Sequence, residues 1–422
     1  MKVLIVTMYH PELVRGGSQQ VAYELFQGLK QAPGVEPVLL CSTDLNSPAM
    51  FKSGARITGF DQRENEFLFL SHDYDHVWQR LPWPRQAEAF AGFLRRIRPD
   101  VVHFNHFMTI GIDYLTLTRR VLPDARIVFT AHEFLTICAA EGHMLRRTDN
   151  SLCEKASQVR CHQCLPQRPP EEMFLREQWM RTHLAVVDYF TVPSRFMIDV
   201  FARWGLDTAR FRHVPNGQDM LPRVPEAVPA RRNRFGFFGQ LVDVKGVSVL
   251  LEAVQILRAA ESPPFVVEIN GENIHFASPE KRKEIESFLE EEARRPVLEQ
   301  RVRFNGGYHH DQLATRMARV DWVVVPSIWW EIYGLVMSEA WHFGRPVIAS
   351  NKGGMAERVR DGVDGLLFEI GDAHALAATM HRAMTEEKLW ETLEAGITPP
   401  PSRADMVQGY LAAYDAALMV QA

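Results

Sequence analysis

Two glutamates eight positions apart, Glu331 and Glu339, are the residues whose type and setting point most clearly to chemistry. They lie in the run from Pro326-Ser327 through Glu331-Ile332-Tyr333-Gly334-Leu335-Val336-Met337-Ser338-Glu339, directly after the apolar Trp322-Val323-Val324-Val325. That apolar run predicts a buried strand, Gly334 a turn where backbone can come close to a ligand, and Leu335 to Phe343 a helix. The open amides of a helix's first turn, together with its dipole, favour an anion such as a diphosphate. Glu339, one turn into the helix, is placed to accept hydrogen bonds from the two hydroxyls of a ribose. Glu331, ahead of the helix, is placed to meet a sugar. Glutamates near a helix start are also favoured by the dipole alone, so the pair needs a context.

The context is a chain of alternating strands and helices. In the first half, Val3 to Met8, Pro37 to Cys41, Val101 to Phe104, Arg126 to Thr130 and Tyr189 to Val192 read as strands, and Val21, Leu25 and Leu29 share one helix face. The second half begins again with Phe235 to Phe238, followed by Phe265 to Ile269, Val302 to Phe304, Trp322 to Val325, Val347 to Ala349 and Gly365 to Phe368. This repetition predicts α/β domains with parallel sheets covered on both faces, and 422 residues exceed what one core holds. Two Rossmann-like domains are expected, 1–217 and 218–398, with 399–422 a final helix that returns to the first. Pro215-Asn216-Gly217 and the Pro-rich, charged stretch 221–233 mark the linker. In such sheets ligands bind beyond the carboxyl ends of the strands, so two facing domains are expected to form a deep cleft there.

With 46% hydrophobic and 23% charged residues the chain has a globular composition, and a formal net charge of −5 argues against a general basic surface for nucleic acid. The apolar Val3 to Met8 is too short for a secretory segment, and no run approaches the roughly 20 apolar residues that cross a bilayer. A cytoplasmic protein is expected. Trp78, Arg80, Trp83, Arg85, Arg95, Arg96 and Arg98 leave open a peripheral contact with anionic lipid at the inner face of the membrane. A core-facing helix with a solvated basic face is the simpler explanation. Asp73-Tyr74-Asp75 imitates a metal-holding Asp-x-Asp but reads as a turn.

Four of the five cysteines, Cys138, Cys153, Cys161 and Cys164, fall in an insertion at about 138–175 and end in a Cys-x2-Cys pair. The ligand count suits a tetrahedral structural zinc, with free thiols or a redox pair as the alternatives. Cys41 reads as a buried core residue.

The run from Pro326 to Phe368 closely resembles the donor-binding region of the retaining glycosyltransferases of family 4, whose Glu-x7-Glu pair matches Glu331 and Glu339. The resemblance extends to Gly16-Gly17-Ser18, His132-Glu133, Val192-Pro193-Ser194, Val214-Pro215-Asn216-Gly217 and Gly239 to Gly246, in that order. It implies the GT-B fold and transfer of a sugar, with retention, from a nucleotide-diphosphate sugar without a catalytic metal. UDP- and GDP-sugars are both open as donors. The implied acceptor is a glycan or lipid-linked glycan of cell-surface polysaccharide or glycoconjugate synthesis. By the same resemblance Gly16 and Gly17 let backbone amides approach the diphosphate, Lys245 neutralises it, and Tyr333, Gly334, Leu335, Val336 and Glu339 hold the donor. His132 and Glu331 act at the transferred sugar. One departure stands out: Gln240 occupies the position of the family's usual arginine. Two other readings follow, a GT-B epimerase or phosphorylase and, because of Gln240, a catalytically weak nucleotide-sugar-binding partner.

Overall fold

The computed structural model describes residues 1–44, 54–223 and 232–419. By its internal contacts the chain divides into two units, Met1–Asp219 together with Pro401–Ala422, and Met220–Pro400. Most of the expected linker, residues 224–231, lies outside the described residues.

The first unit is built on eight strands: β1 (Lys2–Met8), β2 (Glu36–Thr43), β3 (Ile57–Gly59), β4 (Glu66–Leu70), β5 (Val101–Phe104), β6 (Arg126–Thr130), β7 (Tyr189–Val192) and β8 (Phe211–His213). Their order is β3-β4-β2-β1-β5-β6-β7-β8, and every pair is parallel except β3 with β4. The inner strands are continuous apolar runs because both faces are covered, and Val3, Leu4, Ile5 and Val6 are completely buried. On helix Gly17–Leu29, Val21, Leu25 and Leu29 are likewise buried. Strands β3 and β8, three residues each, and β4 have no counterpart among the strands expected from the sequence.

The C-terminal helix Arg403–Met419 packs within this first unit. Polar bonds hold it as well as apolar contact. The buried His103 meets Tyr414 Oη at 2.8 Å through Nδ1 and Thr130 Oγ1 at 2.7 Å through Nε2. Thr130 in turn lies 3.2 Å from Tyr410 Oη. At the helix start Arg403 pairs with Glu24 at 2.5 Å and Asp219 at 2.9 Å. Gly28 is needed where this helix crosses Gly17–Leu29, since a Cβ there would stand 2.4 Å from Val407 Cγ2.

The second unit carries β9 (Arg234–Phe238), β10 (Val266–Asn270), β11 (Val302–Gly306), β12 (Trp322–Val325), β13 (Val347–Ser350) and β14 (Gly365–Phe368). They form one all-parallel sheet in the order β11-β10-β9-β12-β13-β14. Strand order reverses between β1 and β5 in the first sheet and between β9 and β12 in the second. Loops leaving neighbouring strands in opposite directions open a crevice at such a point, so the turns after these strands are where each unit can take a ligand.

Candidate active site

In the second unit the turn after β9 and the loop after β12 are locked together by backbone. Ile328 N–H donates to Val244 O at 2.9 Å. Gly246, in the left-handed region at φ 70°, closes the turn Asp243–Lys245 and starts helix Val247–Ala259. A Cβ on Gly246 would sit 1.9 Å from Pro326 O, so only glycine allows this approach.

This contact brings Lys245 to Glu331. Lys245 Nζ donates to Glu331 Oε2 at 2.6 Å, and the same oxygen accepts from Ser327 Oγ and Trp329 Nε1, each at 3.2 Å. Glu331 is only 7% exposed, whereas the Lys245 side chain is 31% exposed. The carboxylate is thus held by three donors, and an ammonium with three N–H groups keeps two for a ligand. Among the described residues no partner is bonded to Glu331 Oε1.

The loop that carries Glu331 is gripped from two further sides. Gly354 N–H donates to Glu331 O at 2.6 Å, and a Cβ on Gly354 would lie 2.2 Å from Ile332 O. Arg358 donates to Tyr333 O at 2.7 Å, Gly334 O at 3.1 Å and Ser338 Oγ at 2.7 Å, with its guanidinium 3.6 Å from the Tyr333 ring centroid. Gly334, at φ 69°, then begins helix Leu335–His342, so Leu335 and Val336 present the first-turn amides. Glu339 lies on that helix and is partly exposed. Gln240, just after β9, is exposed. Arg358 and Gly353-Gly354 carry the loop and were given no role from sequence; the glycine pair was the available signal.

In the first unit Gly16 and Gly17 stand at the start of helix Gly17–Leu29. Gly16 has extended backbone, no side chain caps this end, and Gly17 is exposed. The pair therefore leaves first-turn amides uncovered. Adjacent strand ends bring together Asn105 and His106 after β5 and His132 and Glu133 after β6. His132 Nε2 lies 3.0 Å from Asn105 Oδ1, and His106 Nε2 lies 3.6 Å from Glu133 Oε1. Burial dominates their chemistry. It lowers His132 to about 4 and His106 to about 3, and raises Glu133 to about 7 against the pull of the Leu135 amide and Arg176. The histidines are neutral at neutral pH. Arg176, also buried, donates to the carbonyls of Leu135, Thr136 and Val77 and so pins the loop after His132.

The zinc site expected of Cys138, Cys153, Cys161 and Cys164 is not formed. Among the described residues no group of three or more His, Cys, Asp and Glu side chains is arranged to hold a metal ion. All four are free cysteines. Burial first and neighbouring thiols second push Cys161 up to about 11, and burial raises Cys138 and Cys153. Cys41 is buried in β2. Asp75 Oδ1 accepts the amides of Val77 and Trp78 at 3.0 Å each, which makes the Asp-x-Asp imitation a turn cap. Among the described residues no helix is long and apolar enough to cross a membrane.

Two family models divide the chain between them: "Glycosyltransferase Family 4" matches residues 15–220 and "Glycosyl transferases group 1" matches 223–396. The chain belongs to glycosyltransferase family 4. Among its curated relatives, the D-inositol 3-phosphate glycosyltransferase of Streptomyces griseus is 31% identical over 209 residues, 45% of this chain and 42% of that protein. The chain thus spans less than half the length of that relative. The glycogen synthase of Mycobacterium tuberculosis is 25% identical over 92% of this chain and 86% of its own. Among solved structures, sucrose-phosphate synthase from Thermosynechococcus elongatus superposes with a TM-score of 0.70 at 20% identity, covering 98% of this chain and 96% of that one. An Anabaena protein, Alr3699/HepE, solved in complex with UDP-glucose, gives 0.63 at 16% identity and covers 98% of both chains. These likenesses establish the GT-B-like fold of this family 4 glycosyltransferase.

Proposed function

We propose that this family 4 enzyme transfers a sugar, with retention, from a nucleotide-diphosphate sugar to a glycan or lipid-linked glycan of cell-surface polysaccharide or glycoconjugate synthesis. The observation that carries the donor half of this reading is the Lys245–Glu331 pair, 2.6 Å apart at the strand-order reversal of the second unit. Departure of a nucleoside diphosphate concentrates negative charge on the leaving oxygens, and an ammonium already fixed beside the site stabilises that charge without reorganising. The first-turn amides of Leu335 and Val336, opened by Tyr333-Gly334, add a second electropositive element. Glu339 takes the ribose hydroxyls, Glu331 the transferred sugar through its unbonded Oε1, and Gly16 and Gly17 offer amides to the diphosphate.

His132, neutral through burial, serves the transferred sugar as a hydrogen-bonding group rather than as a cation. Lys245 and the helix amides supply the counter-charge for the diphosphate, so no divalent cation enters the proposal. UDP- and GDP-sugars both fit it, and the UDP-glucose bound to the Anabaena relative favours testing UDP-sugars first. Reaction at the cytoplasmic side, with Trp83 at 45% exposure as one apolar contact for a lipid-linked acceptor, completes the reading.

Thermal unfolding with UDP-, GDP- and ADP-sugars tests it, because a ligand at about 100 times its Kd stabilises the folded state by roughly 2.7 kcal/mol. A rise in Tm with one donor class supports the proposal. No rise with any of them removes it. Donor turnover with no acceptor present would instead favour an epimerase or phosphorylase.

A further inference from the structure

Asn105 has no assigned part in the chemistry, yet it is the single hydrogen-bond partner of the His132 ring among the described residues. It follows β5 directly, held by its amide to Val6 O at 2.8 Å, and is completely buried. Its Oδ1 faces His132 Nε2 at 3.0 Å, while its Nδ2 has no hydrogen-bond partner. With the amide in this orientation the carbonyl oxygen only accepts, so the contact calls for the proton on Nε2 and leaves Nδ1 as an acceptor on a partly exposed ring. An amide buried with one end unpaired is costly, and an apolar residue of similar volume would remove that cost. The unpaired amide end of Asn105 is thus a cost borne beside the histidine.

We propose that Asn105 is the positioning residue of His132, fixing the tautomer whose Nδ1 accepts a hydroxyl of the bound sugar. The inference rests on the assignment of His132 to the sugar. The surroundings reinforce it. The titratable groups around His132 are His103, neutral through burial and bonded to Tyr414 and Thr130, His106, and Glu133. His106 accepts from Met108 N–H at 3.0 Å through Nδ1 and turns Nε2 to Glu133. Asn105 is therefore the uncharged neighbour in this group that can dictate the ring's proton without changing its charge.

The test compares wild type, Asn105→Ala and Asn105→Asp for nucleotide-sugar affinity, kcat, KM and the pH profile of kcat. Asn105→Ala frees the ring and is expected to lower kcat by roughly 10- to 100-fold, with nucleotide-sugar affinity unchanged. Asn105→Asp keeps the accepting oxygen but sets a carboxylate against the ring, which raises the pKa of His132. It is expected to recover kcat at high pH and to lose it on an acidic limb absent from wild type. Glu133 titrates alike in wild type and Asn105→Ala, but the new carboxylate of Asn105→Asp raises it further, so the acidic limb is read with Glu133→Gln as the common background of all three proteins. Should Asn105→Ala fail to fold, the pH profile of Asn105→Asp carries the test alone. Wild-type kcat in Asn105→Ala, or a wild-type pH profile in Asn105→Asp, overturns the proposal. Absence of nucleotide-sugar binding by wild type is a different result, and it removes the functional reading itself.

Discussion

The carboxyl ends of the two sheets solve opposite electrostatic problems. In the second unit Lys245 and Glu331 are both present and paired at 2.6 Å, with Ser327 and Trp329 completing the carboxylate's donors. In the first unit burial disfavours charge at the strand ends: His106 and His132 are neutral at neutral pH, and Glu133 is raised to about 7. A paired ammonium suits a leaving group that gains charge, whereas neutral imidazoles suit hydroxyls. The difference sets a paired ammonium in one unit against neutral imidazoles in the other, and under the proposed function that contrast can be attacked at either end.

The largest effect is expected at the cation. Lys245→Ala should lower kcat by about 100- to 1000-fold, the usual consequence of losing one preorganised group aimed at developing charge. Steady-state kinetics with the preferred donor reads it directly. A loss confined to KM would mean that Lys245 binds the ground state and transition state equally, and the contrast between the units would weaken.

Next in size is the support of the charged loop. Arg358→Ala removes three hydrogen bonds and the stacking on Tyr333, and is expected to cost about 2–4 kcal/mol of stability. Chemical denaturation followed by tryptophan fluorescence measures this. Arg358→Lys should recover little of it, because an ammonium cannot span two carbonyls and a hydroxyl while lying flat on a ring. Full recovery by lysine would show that charge, not geometry, holds the loop.

The neutral cluster predicts a pH dependence with a definite sign. His103, His106 and His132 have folded values of about 3, 3 and 4, below their unfolded value of about 6.5. The unfolded chain therefore binds more protons between about pH 3 and 6.5, and stability falls as pH drops through that window. Glu133 acts in the other direction, since its folded value of about 7 exceeds the unfolded value and its contribution falls as pH rises from about 4.5 to 7. Three histidines against one carboxyl leave acid as the destabilising direction. A Tm that rises on going from pH 7 to pH 5 would contradict the neutral assignment of the first unit.

Much of this contrast was legible in the sequence, but unevenly. Strands β5, β6, β7, β12 and β14 have the residue limits that their apolar runs suggested, because buried parallel strands need no polar alternation. In β4 a charge obscured the pattern: Glu66 opens the strand, is buried, and meets His10 at 3.1 Å and Lys30 at 3.4 Å. Lys245 and Glu331 were each visible as types, yet their pairing across 86 positions depends on Gly246 admitting Pro326, which spacing cannot express. Asn105 carried no signal at all, as its role exists only once β5 and β6 lie side by side. The cysteines taught the converse, since a suitable ligand count did not, among the described residues, bring three or more side chains into an arrangement able to hold a metal ion.

The smallest expected effect concerns Gln240, where the family's usual arginine is missing. Gln240 is exposed, so a new charge there acts largely through water and is screened at physiological salt. Lys245 already stands fixed beside the carboxylate. Gln240→Arg should therefore raise kcat by less than about tenfold, with little change in Tm, in the same assay used for Lys245→Ala. A much larger gain would mean that the chain is electrostatically deficient as it stands, and the weak-partner reading would return. A loss would mean that the glutamine amide itself meets the ligand, making the anion-binding half of the comparison less purely cationic than Lys245 alone suggests.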